Sequence, residues 1–496
     1  MKKYTHRQFL KMMGLGVVFL PFISCFHTGS KTGDTENSGD SIPEGGKKEE
    51  KKETAYPPKI TVTDEDVIIL TRKEDAYGEF NKAFNARIHH LPKYIAVCGT
   101  EKGVQFAIRK AAAEKLKVAV KSGGHSFEGF SSNDGGMVVN LSGMKKITWL
   151  DDDEVIVEPG CLLEDIQDVF FAKKRLLPAG SCGTVGIGGL ALGGGYGFFS
   201  RKFGLTCDSL RALRMVGADG NIYDTGQHPD LLWACKGGGN GNFGVVTSFK
   251  FTHYKMPPLL STYTLKFSRL TAERFTVLLE EWFDLTASLP EKAFAAFVLN
   301  GDFLTVLITT FEEKPHIENL FTELIKRADS YRRSLRKDLP GAMKRYYGRK
   351  GPLYFKNASG GLYRGKADLK DCKKTLFEKV VASPGIVFQI NTLGGNIGRE
   401  SFEAASCYPH RALPYLAELQ SYWNKPSQEK KLVTAFEEIQ KVLKEAGVTA
   451  HYRNYPDIHF SGWQTAYYGD HYPRLQAIKR KYDPGDLFHY PQSIRL

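Results

Sequence analysis

The chain of 496 residues has little with which to cross a membrane. Its apolar run from Met12 to Ile23 falls short of the roughly 20 residues that a spanning helix needs. It has no cysteine spacing of the metal-binding kind. Setting aside Cys25 and Cys182, the remaining Cys98, Cys161, Cys207, Cys235, Cys372 and Cys407 are scattered, which argues against a zinc site. Those six are either buried thiols or, in an exported protein, partners in disulfides whose pairing the sequence does not give. No internal repeat is present. A nucleic-acid signature is missing too, although the formal net charge is +13. The basic residues are dispersed, and the one dense cluster, Lys47 to Lys52, is interleaved with Glu49 and Glu50. That pattern reads as a solvated basic surface.

The N-terminus carries export features instead. Lys2, Lys3, Arg7 and Lys11 precede the short apolar run, and Ser24-Cys25 follows it, as in a signal segment. Phe22-Ile23-Ser24-Cys25 resembles a bacterial lipobox, which makes Cys25 a candidate lipidated residue. Thr5 to Lys11 resembles a twin-arginine export motif with His6 in place of the first arginine, so the route stays open between that pathway and the general one. Residues 26 to about 58 are rich in Gly, Ser, Thr, Asp and Asn, then in Lys and Glu. A stretch with so little apolar content is expected to be a disordered tether. The expectation is an exported, envelope-associated monomer, touching a membrane only through a lipid at Cys25 and binding no nucleic acid.

The rest is long enough for two domains. The spacing predicts strands at Tyr94 to Val97, Val118 to Val120, Met137 to Leu141 and Val155 to Val157. Helices are expected over Glu101 to Leu116 and Leu162 to Lys174, where apolar residues recur at helical intervals. After about residue 255 the pattern turns to alternating strands (Tyr263 to Phe267, Ala295 to Leu299, Leu304 to Thr310) with a helix over Ala272 to Thr286. The organisation read from this is α+β: a first domain over 59–255, a second over 256–446 with an antiparallel sheet backed by helices, and a terminal segment, 447–496.

Fifty glycines are present, clustered between Gly123 and Gly244. Two glycine-rich turns carry nucleophiles, His125 in Lys121-Ser122-Gly123-Gly124-His125-Ser126-Phe127-Glu128-Gly129 and Cys182 in Pro178-Ala179-Gly180-Ser181-Cys182-Gly183-Thr184-Val185-Gly186. Glycine lets the backbone approach a planar or phosphorylated ligand closely, and successive amides in such a loop form an anion-binding nest. Gly186-Ile187-Gly188-Gly189-Leu190-Ala191 loosely fits a dinucleotide fingerprint, but Pro178-Ala179-Gly180 interrupts any preceding strand, so that reading is rejected.

These turns continue into Gly193-Gly194-Gly195-Tyr196-Gly197, Ser200 to Leu210 and Leu232 to Val246. Arg453-Asn454-Tyr455-Pro456-Asp457, Tyr467-Tyr468-Gly469, Lys481 to Phe488 and Pro491 to Ile494 follow near the end. Together, over about residues 60 to 496, they resemble the berberine-bridge-enzyme-like branch of the vanillyl-alcohol-oxidase superfamily. The resemblance implies a PCMH-type FAD-binding domain of two α/β subdomains, completed by the terminal segment, beside a substrate domain. It implies FAD held by two covalent bonds, from the His125 imidazole to the flavin 8α methyl group and from the Cys182 sulfur to ring carbon 6. A thiolate would do this best if its pKa were lowered locally. The implied cofactor contacts are Ser122, Gly123, Gly124, Ser126, Phe127 and Gly129 around His125, and Gly180, Thr184, Val185, Gly186, Gly188, Gly189, Leu190 and Gly195 around Cys182. Asp208, Gly244, Val246, Asn454 and Tyr455 complete the set.

For catalysis the resemblance points to Tyr455 as the base, with Tyr452 as alternate and Arg453 supplying the positive field that a tyrosine needs to ionise. Gln389 and Asn391, two apart on an expected strand, face the substrate in this reading; the amide of Asn391 weakens any carboxylate-assisted base there. Tyr408-Pro409-His410-Arg411 is expected to be structural or substrate-positioning. Two positions depart from the family pattern: Phe127 stands where a tyrosine is common, and Leu190 where a histidine is. Val185 matches a small residue that leaves oxygen access to the flavin, which favours an oxidase. The function implied is hydride transfer from an alcohol, preferably a carbohydrate, to flavin N5, with O2 reduced to H2O2. Oxidation or oxidative cyclisation of a secondary metabolite or amine is the alternative, and a non-catalytic flavin-carrying surface lipoprotein is the third reading.

Overall fold

The computed structural model describes residues 66–150, 153–312 and 316–496. The expected signal segment, Cys25 and the tether over 26–58 lie outside the described residues.

Two β-layers build the first domain. Val118–Lys121, Met137–Asn140 and Tyr94–Cys98 lie parallel, and Val67–Leu70 adds an antiparallel edge. Helix Glu101–Ala113 makes the crossover between the parallel strands. It starts where the Thr100 hydroxyl accepts from the Gly103 N–H, and it buries Val104, Ala107, Ile108 and Ala111 on one face. The second layer is antiparallel, in the order Ile147–Trp149, Glu154–Val157, Val245–Thr252, Leu210–Val216, Ile222–Asp224. The two nucleophile loops lie in the connections that follow Val118–Lys121 and the two-residue strand Arg175–Leu176.

The second domain is a seven-stranded antiparallel sheet ordered Ser330–Asp338, Leu259–Phe267, Phe303–Thr310, Ala293–Asn300, Ile386–Thr392, Tyr415–Trp423, Tyr354–Tyr363. Its strands are apolar on one face, where Ile386, Phe388, Ile390, Tyr415, Ala417 and Leu419 pack with residues of helices Ala272–Ala287, Lys373–Ala382 and Glu429–Glu445. Alternation puts Gln389, Asn391, Glu418 and Gln420 on the other face, toward the first domain. The fold is therefore α+β, as expected, with a two-layered first domain beside an antiparallel second domain.

The terminal segment rejoins the first domain. Val118 bridges to Phe488, and Trp463, Tyr467, Leu475 and Ile494 share a core with Phe249 and Leu231. Lys479 is fully buried there and donates to the Asn242 carbonyl at 2.9 Å, the Phe488 carbonyl at 2.7 Å and Asp483 at 2.6 Å. All seven described cysteines are free thiols, so no disulfide forms among the described residues. No helix among them is long and apolar enough to cross a membrane, and no His/Cys/Asp/Glu group could hold a metal.

Lys479→Met leaves the Asp483 carboxylate buried without its cation and is expected to cost about 3–5 kcal/mol. Denaturant unfolding checks this; a loss below about 1 kcal/mol, the scale of an exposed pair, would overturn it.

Candidate active site

The two nucleophile loops cross where neither can carry a side chain. A β-carbon on Gly123 would stand 2.4 Å from the Gly186 nitrogen, and one on Gly186 would stand 2.3 Å from the Gly123 nitrogen. Backbone thus lies directly on backbone, and the crossing brings His125 and Cys182 to the wall of one cleft. Thr184 sits between them, its hydroxyl 2.9 Å from His125 Nε2 and 4.0 Å from Cys182 Sγ. His125 stacks on Phe84 at 3.9 Å between ring centres. Burial pulls its pKa down to about 3, so the imidazole is neutral, as a nucleophile must be.

The condition that would favour a Cys182 thiolate, a locally lowered pKa, is not met. Burial pushes its thiol up to about 11, against the smaller opposing effect of the Thr184 hydrogen bonds. The Glu164 carboxylate raises it further.

Most expected cofactor positions line the cleft: Ser122, Gly123, Gly124, Ser126, Phe127, Gly180, Val185, Gly186, Gly188, Gly189, Leu190, Gly244, Val246, Asn454 and Tyr455. Four do not. Asp208 is turned into a buried bidentate pair with Arg411, at 2.6 and 3.0 Å, and so accounts structurally for the Tyr408 to Arg411 motif. Gly195 donates its N–H to the Tyr452 hydroxyl at 2.8 Å. Gly129 holds a turn at φ +75° against Ile88, and Thr184 reaches the site through His125 and Cys182.

The cleft fits FAD. Its floor is the glycine crossing, and a β-carbon on Gly189 would meet nothing within 4 Å. Ser181 Oγ and Asn240 Oδ1 line it, are buried, and have no protein partner. Buried polar atoms without partners are rare in native proteins, and a polar ligand in the cleft would supply them.

At the substrate-domain end a phenol pair closes the cleft. The Tyr455 and Tyr196 hydroxyls are 2.9 Å apart, and Tyr455 stacks on Phe127 at 5.2 Å. The hydroxyl that a tyrosine at position 127 would bring is thus replaced by an apolar ring that packs against the candidate base. Tyr452 accepts from Gly195 and from Asn454 at 3.0 Å, and so holds loops together.

Arg453 does not assist Tyr455. Its guanidinium donates to Tyr468 at 2.9 Å and Tyr490 at 2.7 Å and is buried among aromatic rings. Burial, followed by the Glu418 carboxyl, pushes Tyr455 well above the usual tyrosine value. The phenol is therefore neutral at physiological pH.

Gln389 and Asn391 stand behind the phenols rather than on the cleft wall. Asn391 donates to Tyr196 at 3.2 Å, Gln389 donates to Asn391 at 2.7 Å, and Gln420 donates to Gln389 at 3.3 Å. The chain continues through Tyr422 to Asn357, both on the wall. Asn357 Nδ2 also lies 3.4 Å from Glu418, whose second oxygen has no partner. Sequence reasoning missed Glu418, Gln420, Tyr422 and Asn357. Their signal was the every-second-residue polarity of Glu418, Gln420 and Tyr422 within an otherwise apolar strand.

Burial raises the Glu418 carboxyl from 4.5 to about 8. An unfolded chain loses this proton first, so the associated stability is complete below pH 4.5 and disappears as pH rises through 8. Glu418→Gln is expected to match the unaltered protein in acid and to melt higher above pH 8. Equal melting differences at both ends would overturn this.

Comparisons with known proteins place this geometry. Residues 92–226 match the FAD binding domain family, and residues 451–495 match the berberine and berberine-like family. The chain is 29% identical over 448 residues to the FAD-linked oxidoreductase YgaK of Bacillus subtilis, covering 86% of this chain and 96% of that one. It is 29% identical over 461 residues to a carbohydrate oxidase of Microdochium nivale, covering 83% and 89%. The fold superposes on a berberine-bridge-enzyme-like protein of Physcomitrella patens with a TM-score of 0.80 at 23% identity, over 87% of this chain and 97% of that one. With its FAD cleft, its sheet domain and its returning terminal segment, the chain carries the FAD binding and the berberine-like domains and is an FAD-linked oxidoreductase.

Proposed function

We propose that this protein is an envelope-associated oxidase that holds FAD through both His125 and Cys182 and oxidises a carbohydrate hydroxyl. The observation that carries this reading is the Gly123–Gly186 crossing, which delivers both nucleophiles to the cleft that the Tyr196–Tyr455 pair closes. Bound FAD supplies the hydride acceptor and returns the electrons to O2 as H2O2.

The residues at the cleft's far end favour a polyhydroxylated substrate. Asn357 and Tyr422 present polar groups on its wall, backed by Gln420, Gln389 and Asn391. Such a site hydrogen-bonds sugar hydroxyls and discriminates against molecules that leave its polar groups unpaired. The similarity to a carbohydrate oxidase supports the same class. The small ionised fraction of Tyr455 takes the substrate hydroxyl proton, while Tyr196 and Phe127 fix its orientation. Export with a lipid at Cys25 would put the enzyme where carbohydrate is abundant; it acts as a monomer with O2 and sugar as its only partners.

Acid precipitation tests the attachment. Flavin is expected to stay with the unaltered polypeptide and with the His125→Ala and Cys182→Ala variants, and to leave the double variant. Quantitative release from the unaltered protein would sink both attachments.

Peroxide release and anaerobic flavin bleaching, screened over gluco-, xylo- and chito-oligosaccharides and simple alcohols, test the reaction. Because the phenol is pushed above its usual value, kcat/KM should climb with pH through the neutral range, as the ionised fraction grows. Tyr455→Phe should lower it about 10²–10⁴-fold and flatten that limb. No peroxide from any sugar, with a reducible flavin, would exclude the oxidase.

A further inference from the structure

Three segments far apart in sequence meet at one buried ammonium group. Lys356 belongs to strand Tyr354–Tyr363, at the edge of the substrate sheet, and its side chain is 1% exposed. Its Nζ contacts the Glu128 carboxylate and lies 2.8 Å from Asp457 Oδ1. Glu128 also takes Arg87 at 2.8 Å, so the junction holds two cations and two anions and is balanced. Glu128 comes from the His125 loop of the first domain, and Asp457 from the terminal segment. Asp457 is fixed in turn by the Tyr467 hydroxyl at 3.0 Å and Gln492 at 2.6 Å.

Glu128, Lys356 and Asp457 each lie within two residues of an aromatic residue of the cleft wall. Phe127 precedes Glu128, Phe355 precedes Lys356, and Tyr455 stands two residues before Asp457. The three rings touch. Phe127 stacks on Tyr455 at 5.2 Å and meets Phe355 edge-on at 5.5 Å, and Phe355 reaches Phe84, the ring on which His125 stacks. The backbone reinforces the arrangement, because Ser359 of the same edge strand donates to the Tyr455 carbonyl at 2.8 Å. Lys356 touches neither the cleft nor Tyr455 itself.

We propose that Lys356 is a positioning residue, which sets the Phe127–Tyr455 stack by drawing the His125 loop and the terminal segment onto the substrate sheet. A long apolar side chain in its place would fill the space and leave two carboxylates without that attraction, so the loop and the segment would part. A displacement of about 1 Å at a reacting group costs up to about a hundredfold in rate. The inference rests on Tyr455 as proton acceptor, and its test separates the two.

The experiment compares flavin-loaded, full-length Lys356→Met, Lys356→Arg, Tyr455→Phe and the Lys356→Met/Tyr455→Phe double variant. The rate of anaerobic flavin reduction is measured with the best sugar from the panel above. Lys356→Met should lose about ten- to a hundredfold in kcat with little change in KM, and Lys356→Arg should recover most of it. In the Tyr455→Phe background, Lys356→Met should cost almost nothing more, since the group it positions is gone. Losses that multiply, or a wild-type kcat for Lys356→Met, would overturn the inference and leave the proton-acceptor reading standing.

Should Tyr455→Phe keep its full rate, the proton-acceptor reading fails instead. The inference then stands if Lys356→Met shifts the visible flavin band and Lys356→Arg restores it, and falls if the band does not move. If Lys356→Met does not fold, Asp457→Asn, of equal size, carries the same cycle with a smaller expected loss and the same non-additivity.

Discussion

The crossing of Gly123 over Gly186 governs everything that the cleft can do, because it leaves no room between two backbones for even one carbon. Two loops, one following a parallel strand and one following a two-residue strand, are held there at a separation that neither could set alone. His125, Thr184 and Cys182 inherit their mutual distances from that contact. The Phe84 ring under His125 then fixes the plane of the imidazole. Glycine here is a steric requirement rather than a source of flexibility.

The reactive side chains of the site are buried and uncharged, although Arg349 and Arg453 also line the cleft. His125 is neutral, the Cys182 thiol is held high, and the phenols are pushed up by burial and by Glu418. The cations are spent elsewhere: Arg411 on Asp208, Lys479 on Asp483, Lys356 on Glu128 and Asp457, Arg453 on tyrosine hydroxyls. The Arg411 and Lys356 pairs tie distant parts of the chain together, Lys479 does so through the Asn242 carbonyl, and none is aimed at the cleft's reactive hydroxyls. An ordered network in a low-dielectric setting keeps the cleft's polar groups oriented in advance.

What the sequence made legible was local. The glycine-flanked nucleophiles, the helix over Ala272–Ala287 and the change from α/β to alternating strands all declare themselves within a few turns of chain. The polar network at and behind the cleft wall did not. Asn357, Gln389 and Glu418 come from three strands, and their convergence depends on a sheet register that no single segment contains. Direction was equally hidden. Arg453 lies two residues from Tyr455, close enough to be read as its cation, yet the chain turns it toward Tyr468 and Tyr490. Asp208 looked like a cofactor contact because it sits among the glycine motifs, and its partner Arg411 lies 203 positions away. Long-range ion pairs leave no spacing to read.

The return of the terminal segment has a consequence for biogenesis. The Asn242 side chain receives the Ile494 N–H, its carbonyl receives Lys479, and Phe488 bridges to Val118 beside the His125 loop. A chain emerging from the ribosome therefore cannot finish its first domain until its last residues appear, with the whole seven-stranded sheet already made. Such non-local closure is slow and leaves apolar surface open for longer. Tyr455 arrives by the same late stretch. The flavin cleft is thus incomplete until that stretch docks, which ties cofactor binding to the closure of the first domain.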